Sequence, residues 1–478
     1  MDSALQIGVR RAGKDAPVFG IGSEVQAPPL NAVVARIAVQ RAAEVAFPDE
    51  SNGAARGSFL SHLAAHLVGR GHALASARAF PAAIDLFRDA TAIAPERPET
   101  WHNLAEASFH AGDFASGRTA YKRAATIDPG IGSAWLGWAS CTYQLGRFRE
   151  AIRILDRALL IHPENVKIHF AMAQASLLLG DFRRGWREYE QRFESGTYAT
   201  ENGGYVHSLA EIAPVWTGES LAGKTILLHT EQGFGDAIQF ARFVGWLKRE
   251  RGTARVHVNL QASLANLFRY VDGIDLITRQ ELDPCPPFDY HLAAMSIPSV
   301  IALTNEIIPA GVPYIHLPAE LTEGRRLAQD ALNVGLCWRG RPEHGNDRQR
   351  SMPIEALEPL RGVQGVRFHS LQLGTDSPAW VMPLRETGSD WLRDAAFIAN
   401  LDLVICVDTA VGHLAGALGI PVWLLTAFAP DWRWQLKRRD SPWYPKHRVY
   451  RQAKPREWSE VIDRAVSDLK LEVLRDSR

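Results

Sequence analysis

A 34-residue spacing in the first half of this 478-residue chain constrains its fold more than any other feature. Proline recurs at that interval, at Pro95, Pro129 and Pro163. Four further residue sets keep the same step, and they are Phe80, Phe114, Phe148 and Phe182; Gly112, Gly146 and Gly180; Ala90, Ala124 and Ala158; and Phe87, Tyr121, Leu155 and Tyr189. Chance does not align five residue sets on one period, so the spacing predicts a stack of repeated units.

Each unit has the residue pattern of a helix pair. Gly112 and its equivalents allow the left-handed turn that ends a first helix, and the prolines end the second. Small residues, Ala105 and Ala139, are expected where the two helices touch. The pattern over residues 58–193 resembles four tetratricopeptide repeats, and the residues that carry this resemblance are Trp101, Leu104, Ala105, Tyr121, Ala124 and Pro129. The resemblance implies a superhelix whose concave groove binds a polypeptide; a rigid spacer or an oligomerisation surface is the alternative.

The segments on either side of the repeats differ in composition. Residues 1–57 show no repeat, and they predict a poorly ordered segment with one short helix over 31–46. Residues 194–222 are rich in Gly, Ser and Thr, which predicts a linker.

Short apolar runs alternate with helix-length segments beyond residue 223, and this alternation predicts parallel β-sheets flanked by helices. The candidate strands of a first lobe, over 223–318, are 225–230, 255–260, 275–279 and 290–295. Those of a second lobe, over 330–475, are 334–340, 366–373, 401–408, 421–426 and 449–452. The predicted fold class is therefore multidomain: an all-α repeat array followed by two Rossmann-like α/β lobes. Ligands of such sheets bind at the carboxyl ends of the strands.

The first candidate strand leads into a glycine-containing turn. Gly233 and Gly235 allow a tight turn, and Asp236 begins the helix that follows. An Asp at a helix start usually caps the helix, but its carboxylate can also point into a cleft.

A polar loop with four arginines follows the strand 334–340, and these are Arg339, Arg341, Arg348 and Arg350. Guanidinium groups clamp phosphates well, although a solvated surface loop is the alternative. Arg350 is expected at the start of the next helix, where a cation is unfavourable unless an anion is bound. We therefore favour phosphate binding.

The strand 401–408 ends directly at a helix start. Asp408 and Thr409 lie at that junction, where backbone N–H groups and the helix dipole favour anions. The small residues Ala410, Gly412, Ala415 and Gly416 would let a ligand approach the backbone. His413 lies one helical turn later, near the same mouth. The alternative is that Asp408 or Thr409 only caps the helix and that His413 packs beneath it.

Together these segments resemble glycosyltransferase family 9, the heptosyltransferase-like enzymes of GT-B fold. The residues that carry the resemblance are TEQGFGDAIQFARFV, GLCWRGRPEHGNDRQRSMP and LDLVICVDTAVGHLAGALGIPVW. The segments APDWRW and SPWYP resemble a subgroup in which this domain follows tetratricopeptide repeats and which includes flagellin glycosyltransferases. The family implies a nucleotide-sugar donor on the second lobe and an acceptor on the first. Arg350 stands where heptosyltransferases usually carry a Lys, so the donor stays open.

The resemblance also implies residue roles. It matches Asp236 to the general base, and it matches Asp408, Thr409 and His413 to donor-phosphate binding. It implies an inverting enzyme without cofactor or metal, in which cationic side chains such as Arg350 replace a metal ion. The acceptor is expected to be a protein Ser or Thr hydroxyl, with flagellin as one candidate, recruited by the repeats. The alternatives are transfer to a lipid or surface polysaccharide, and a scaffold without activity.

Charge and composition exclude several other classes. Lys and Arg number 53 and Asp and Glu also 53, so the net charge is +0 and nucleic-acid binding is not expected. The first thirty residues lack the apolar core of a signal peptide, and no stretch approaches the length of a membrane span. No two of the four cysteines, Cys141, Cys285, Cys337 and Cys406, form a CxxC pair, which predicts buried thiols and no zinc site. We therefore expect a cytoplasmic protein.

Overall fold

The computed structural model of the chain describes residues 53–194, 209–280, 282–304, 311–323, 329–374, 377–383 and 390–476, with residues 308 and 327. The helix predicted over 31–46 lies outside the described residues. The chain divides into two compact units, Met1–Asp128 and Pro129–Arg478. The division falls inside the repeats.

The described part of the first unit consists of paired helices. They are α1 (Gly53–Ser76), α2 (Phe80–Ile93), α3 (Pro98–Ala111) and α4 (Phe114–Ile127). Gly112 ends α3 in the left-handed conformation that the sequence predicts, with φ of 84°. The side chain of Asp113 then caps α4 by accepting a hydrogen bond from the N–H of Ser116 at 3.1 Å.

The second unit begins with the remaining repeat helices. They are α5 (Gly132–Gln144), α6 (Phe148–Ile161), α7 (Val166–Leu178) and α8 (Phe182–Glu190), followed by a 3-10 turn, Gln191–Glu194. Gly146 and Gly180 are left-handed, with φ of 75° and 86°, which confirms the predicted turns. Ala139 is buried between helices, as expected for a small residue at this position.

A recurring hydrogen bond joins an aromatic side chain to each repeat proline. The donor or contacting ring nitrogen lies six residues after the proline carbonyl in every case. The bonds are Trp101 Nε1 to Pro95 O at 2.9 Å, Trp135 Nε1 to Pro129 O at 3.0 Å, and His169 Nε2 to Pro163 O at 2.7 Å. The prolines therefore end one helix and also anchor the next.

The first sheet has the order β3-β2-β1-β4, and its strands are parallel. The strands are β1 (Thr225–His229), β2 (Arg255–Leu260), β3 (Leu276–Arg279) and β4 (Tyr290–Ala293). The connecting helices are α9 (Phe234–Phe240), α10 (Arg242–Arg251) and α11 (Ala265–Phe268), and α12 (Ile297–Val300) follows β4.

The second sheet has the order β6-β5-β7-β8-β9 and is also parallel. The strands are β5 (Leu332–Cys337), β6 (Val366–Ser370), β7 (Leu403–Val407), β8 (Val422–Thr426) and β9 (His447–Arg451). The helices of this part are α13 (Ala319–Thr322), α14 (Asp347–Arg350), α15 (Trp391–Ile398), α16 (Ala410–Ala417) and α17 (Ser459–Asp476), with a 3-10 helix over Ile354–Gly362. Each candidate strand from the sequence overlaps one of these strands.

The described end of the predicted linker packs on the first sheet. The Trp216 side chain is fully buried, and its backbone N–H donates to the carbonyl of His291 in β4 at 3.0 Å. Leu209 and Leu221 are buried as well. Residues 209–222 are thus part of this lobe, so the linker prediction is wrong for them. The Gly, Ser and Thr content does not predict this packing, because burial of a few apolar side chains is enough to fix the segment on the sheet.

One hydrophobic cluster joins the last two repeats to both sheets. Leu177 of α7 and Trp186 of α8 belong to the same buried cluster as Leu228 of β1 and Leu424 of β8. A second cluster fills the opposite face of the second sheet, beneath α17. The repeats after residue 129 therefore share a core with the α/β part.

Candidate active site

Asp236 lies at the carboxyl end of the first sheet, in the first turn of α9. Its Oδ2 accepts a hydrogen bond from the N–H of Gly233 at 2.9 Å, which caps the helix. Its Oδ1 accepts a hydrogen bond from Arg433 Nη2 in the other lobe. Burial raises the pKa of Asp236, while Arg433 and the Gly233 N–H favour the ionised form. The carboxylate is thus both a helix cap and a group that faces the second lobe.

Neither glycine of this turn has a left-handed backbone. Gly233 has φ of −86°, and the left-handed residue is Gln232, with φ of 61°. A Cβ atom at Gly235 would lie 3.0 Å from His413 Cδ2 and 3.4 Å from Ala410 Cα. The predicted reason for the two glycines, a tight turn, is therefore wrong. Gly235 is required because α9 and α16 touch there.

Arg433 is the cation that meets Asp236. It lies in the 3-10 turn Trp432–Trp434 after β8, and it is buried. Its Nη1 donates to Asp431 Oδ1 at 3.0 Å, and its Nε donates to Gln239 Oε1. The central carbon of its guanidinium, Cζ, lies 4.3 Å from the ring centre of Trp432. Burial alone would lower the pKa of Arg433, but Asp431 and Asp236 raise it above the ordinary value. The guanidinium therefore stays charged and links the two lobes.

Asp408 follows β7 at the carboxyl edge of the second sheet. Burial, together with the nearby Asp431 carboxylate, raises the pKa of Asp408 to about 6. Its backbone carbonyl accepts a hydrogen bond from Arg350 Nη1 at 3.0 Å. The Thr409 hydroxyl donates to the carbonyl of Val407 at 3.3 Å and does not cap α16. The capping alternative for Thr409 is therefore wrong, because its hydroxyl points back along the strand.

Arg350 does not begin a helix, so the predicted electrostatic mismatch is wrong. It is the last residue of α14, and the next helix begins at Ile354. A cation at a helix C-terminus is favourable, and Asp347 Oδ1 lies 3.3 Å from Arg350 Nε. The side chain still reaches the carboxyl end of β7 through its bond to Asp408.

The other loop arginines are spread along the site. The backbone N–H of Arg339 donates to Gln372 Oε1 at 2.9 Å, close to the end of β6. The guanidinium of Arg341 lies 4.9 Å from the ring centre of Phe234, in the turn that carries Asp236. The loop therefore contacts both sheet edges, and a phosphate role for Arg339 stays a prediction.

His413 is a residue of α16, and its ring packs against aromatic residues of the same lobe. Its Nδ1 lies 2.9 Å from the Tyr444 hydroxyl, and its ring stacks on Trp434 with 5.5 Å between centres. Burial, assisted by Arg433, holds the pKa of His413 well below its ordinary value. The imidazole is therefore neutral at pH 7. Its contact with a donor phosphate stays a prediction.

The small residues of α16 accommodate neighbouring side chains. A Cβ at Gly412 would lie 3.1 Å from Cys406 Sγ, and one at Gly416 would lie 2.5 Å from Tyr444 Cδ1. The expectation that these two positions leave room for a ligand is therefore wrong. The space beside them is filled by the lobe itself.

A buried ion pair joins the turn between β1 and α9 to the last repeat. Arg192, in the 3-10 turn after α8, donates from Nε to Glu231 Oε2 at 2.9 Å and from Nη2 to Glu231 Oε1 at 2.7 Å. Both side chains are almost fully buried. Burial would lower the pKa of Arg192, but Glu231 raises it above its ordinary value.

Several site residues were not predicted from the sequence. Asp431 and Arg433 follow β8 at its carboxyl end, so the rule that pointed to Asp236 and Asp408 could also have found them. Arg192 has no such signal, because only the fold brings the end of the repeats to the turn after β1.

No group of three or more His, Cys, Asp or Glu side chains in the described ranges has the arrangement of a metal site. Among the helices that the structure describes, none is long and apolar enough to cross a membrane.

Known structures similar to this chain include two enzymes that cover its α/β part. One is a glycosyltransferase of family 9 from Veillonella parvula, with 14% identity and a TM-score of 0.41, covering 54% of this chain and 100% of that structure. The other is the ADP-heptose lipopolysaccharide heptosyltransferase II of E. coli, with 13% identity and a TM-score of 0.40, covering 53% of this chain and 100% of that structure.

Among curated proteins, the chain is 26% identical over 326 residues to protein FlbA of Caulobacter vibrioides, covering 60% of this chain. The chain spans about half the length of that relative, 52%. Two tetratricopeptide repeat families match residues 62–130 and 132–175. The chain therefore carries tetratricopeptide repeats over these residues, followed by two parallel α/β sheets.

Proposed function

We propose that the chain is an inverting, metal-independent glycosyltransferase that moves a sugar from a nucleotide-sugar donor to a hydroxyl group. The observation that carries this proposal is the contact of Asp236, at the carboxyl edge of the first sheet, with Arg433 of the second lobe. Ligands of open α/β sheets bind at such edges, and here two edges face each other. The motif resemblance to family 9 supports the same activity.

The proposed reaction is a direct displacement. The acceptor oxygen bonds to the anomeric carbon while the bond from that carbon to the donor phosphate oxygen breaks and its electron pair leaves with the nucleotide. Asp236 takes the proton of the acceptor hydroxyl, because it is the carboxylate of the turn that faces the other lobe. Attack from the side opposite the leaving group inverts the anomeric carbon.

The leaving phosphate gains charge during this step, and fixed donors stabilise such charge. Arg350 stands beside Asp408 at the carboxyl end of β7. The N-terminus of α16, at Thr409, is the other candidate. His413 is neutral, so it can contribute one hydrogen bond, from Nε2 when the Tyr444 hydroxyl donates to Nδ1.

We propose a protein Ser or Thr hydroxyl as the acceptor, with flagellin as one candidate. The tetratricopeptide repeats support a polypeptide partner, because arrays of this kind bind extended peptides. Transfer to a lipid or a surface polysaccharide is the second candidate. Glycan analysis of a deletion strain separates them: loss of surface glycan with normal protein glycosylation would favour the second.

Calorimetric titration of the full chain with CMP-, UDP-, GDP- and ADP-sugars tests the donor. We expect one nucleotide class to bind, and Arg350→Ala to weaken donor binding or transfer by about 2–4 kcal/mol. Arg361→Ala, at an exposed arginine that pairs with Glu358, is the matched control and should change nothing. Absence of binding to all four classes would instead support the scaffold without activity.

A further inference from the structure

The last repeat ends in direct contact with the turn that carries Asp236. The guanidinium of Arg192 binds both carboxylate oxygens of Glu231, which follows β1 by two residues. Its Nη2 also donates to Ser296 Oγ at 2.7 Å, beyond β4. One side chain of the repeat region therefore binds the ends of two neighbouring strands.

A second contact reaches the next residue of the same turn. The side-chain amide of Gln232 donates to the hydroxyl of Tyr189, in α8, at 2.6 Å. Tyr189 is buried and also contacts Met295, with 3.5 Å between the hydroxyl and the sulfur. Gln232 has a left-handed backbone, which is unfavourable for a residue with a side chain and persists only where its surroundings hold it.

We infer that the last repeat is part of the proposed active site, with Arg192 and Tyr189 as positioning residues for Asp236. The inference rests on the proposed function, because it takes Asp236 as the base. Glu231 and Gln232 are held by α8 and the 3-10 turn after it, and Asp236 follows within five residues. The left-handed Gln232 sets the direction in which the chain enters α9. A loosened turn would leave the carboxylate near Arg433 for a smaller fraction of the time.

The repeat period supplies a matched pair of variants. Tyr189 and Tyr121 occupy the same position in different repeats, and both hydroxyls are hydrogen bonded. Tyr189→Phe removes the acceptor of Gln232 and the weak contact with the Met295 sulfur, whereas Tyr121→Phe removes the donor to Glu106, within the first unit. Hydrogen exchange of the amides of residues 231–237, measured on the full chain, should become about three- to ten-fold faster in Tyr189→Phe. Tyr121→Phe should leave those amides unchanged.

A rescue variant separates positioning of the turn from general stability. Gly adopts the left-handed conformation without strain, so Gln232→Gly no longer needs the hydroxyl of Tyr189. In the Gln232→Gly background, Tyr189→Phe should therefore have no further effect on exchange. An equal effect in both backgrounds would overturn the role of Tyr189. Arg192→Lys keeps the charge but loses the two-point contact, and it should accelerate exchange of the same amides even where the melting temperature is nearly unchanged.

Turnover gives an independent measurement. Once a donor binds, Tyr189→Phe and Arg192→Lys should lower kcat by about three- to ten-fold and leave the donor KM unchanged, because the donor is held by the other lobe. If the parent chain is active and both variants keep its exchange rates and its kcat, the inference is overturned. Faster exchange in a chain that binds no nucleotide-sugar would instead remove the proposed function and leave the coupling of the repeat to the turn in place.

Discussion

Asp236 divides its two carboxylate oxygens between two tasks. Oδ2 caps α9 through the N–H of Gly233, and Oδ1 faces Arg433. The sequence suggested these roles as alternatives, and the structure shows that the residue's geometry allows both. The contact with Arg433 could not be predicted from spacing, because the two residues are far apart in the chain.

Replacement of Asp236 by Asn tests its role as a base. The Asn side-chain oxygen can still accept the Gly233 N–H, but Asn takes no proton at neutral pH. We expect donor affinity to be nearly unchanged, some stability to be lost because the amide no longer pairs with Arg433, and turnover to fall by about 10²–10⁴-fold, measured with the donor that binds. Near-normal turnover in Asp236→Asn would show that Asp236 caps the helix and pairs with Arg433 but takes no proton. The base would then have to be sought at a histidine such as His229, at the end of β1.

The raised pKa of Asp408, about 6, makes stability depend on pH in a defined direction. The folded protein binds this proton more tightly than the unfolded chain, so its stabilising contribution is full below about pH 4 and is lost as the pH rises through 6. Asp408→Asn mimics the protonated form. It should match the parent melting temperature at pH 4 and exceed it at pH 8, by the equivalent of about 1–2 kcal/mol.

Asp283 serves as a control for this measurement, because its pKa is shifted in the opposite direction. Hydrogen bonds from Arg279 lower the pKa of Asp283 to about 2. That contribution is present at neutral pH and is lost on acidification, so Asp283→Asn should give no gain at pH 8. Thermal unfolding of both variants between pH 4 and pH 8 decides the question. A pH-independent difference for Asp408→Asn would contradict the proposed titration.

At the scale of elements, the sequence predicted more of the fold than of the site. The period of 34 residues located the helix pairs, and apolar runs located the strands, because both patterns are local. The packing of α9 on α16 is a contact between lobes, and no local pattern encodes it. For the same reason the sequence pattern indicates a turn role for Gly235, whereas in the structure its missing side chain leaves space for Ala410 and His413.

This packing predicts the effect of one added methyl group. Gly235→Ala places a Cβ against His413 and the backbone of Ala410, and neither can move away without displacing α16. We expect a loss of about 1–3 kcal/mol in the free energy of unfolding, measured by denaturant titration. Gly362→Ala is the control, since no atom lies within 4 Å of the added Cβ there. Equal stability of the two variants would show that the lobes separate easily at this point.

At the scale of the whole molecule, the repeats belong to two compact units. No local pattern indicates a division near residue 128, because the same period runs through it. What separates the later repeats is their burial: Trp186 and Tyr189 pack into a cluster that continues to Trp432 beyond β8. Such burial depends on tertiary contacts, which periodicity does not report.

Truncation tests this division. A chain that begins at Pro129 should unfold in a single transition and bind the donor as the full chain does. A chain that begins at residue 209 loses Arg192 and also the apolar side chains of α7 and α8, such as Leu177 and Trp186, so it exposes the cluster that they share with both sheets. We expect its melting temperature to fall sharply in scanning calorimetry. Equal melting temperatures for the two truncated chains would contradict the shared core.

The ion pair of Arg192 with Glu231 also limits how an array of this kind can change in length during evolution or design. A helix pair inserted between α6 and α7 would leave α8 and Arg192 on the sheets, but it would shift α5 and α6 and break the hydrogen bond from the Tyr143 hydroxyl to the carbonyl of Pro430. A helix pair added before residue 129 would disturb neither the ion pair nor this hydrogen bond. The last two repeats are therefore fixed in place by the sheets. The array can gain or lose repeats only at its N-terminal end.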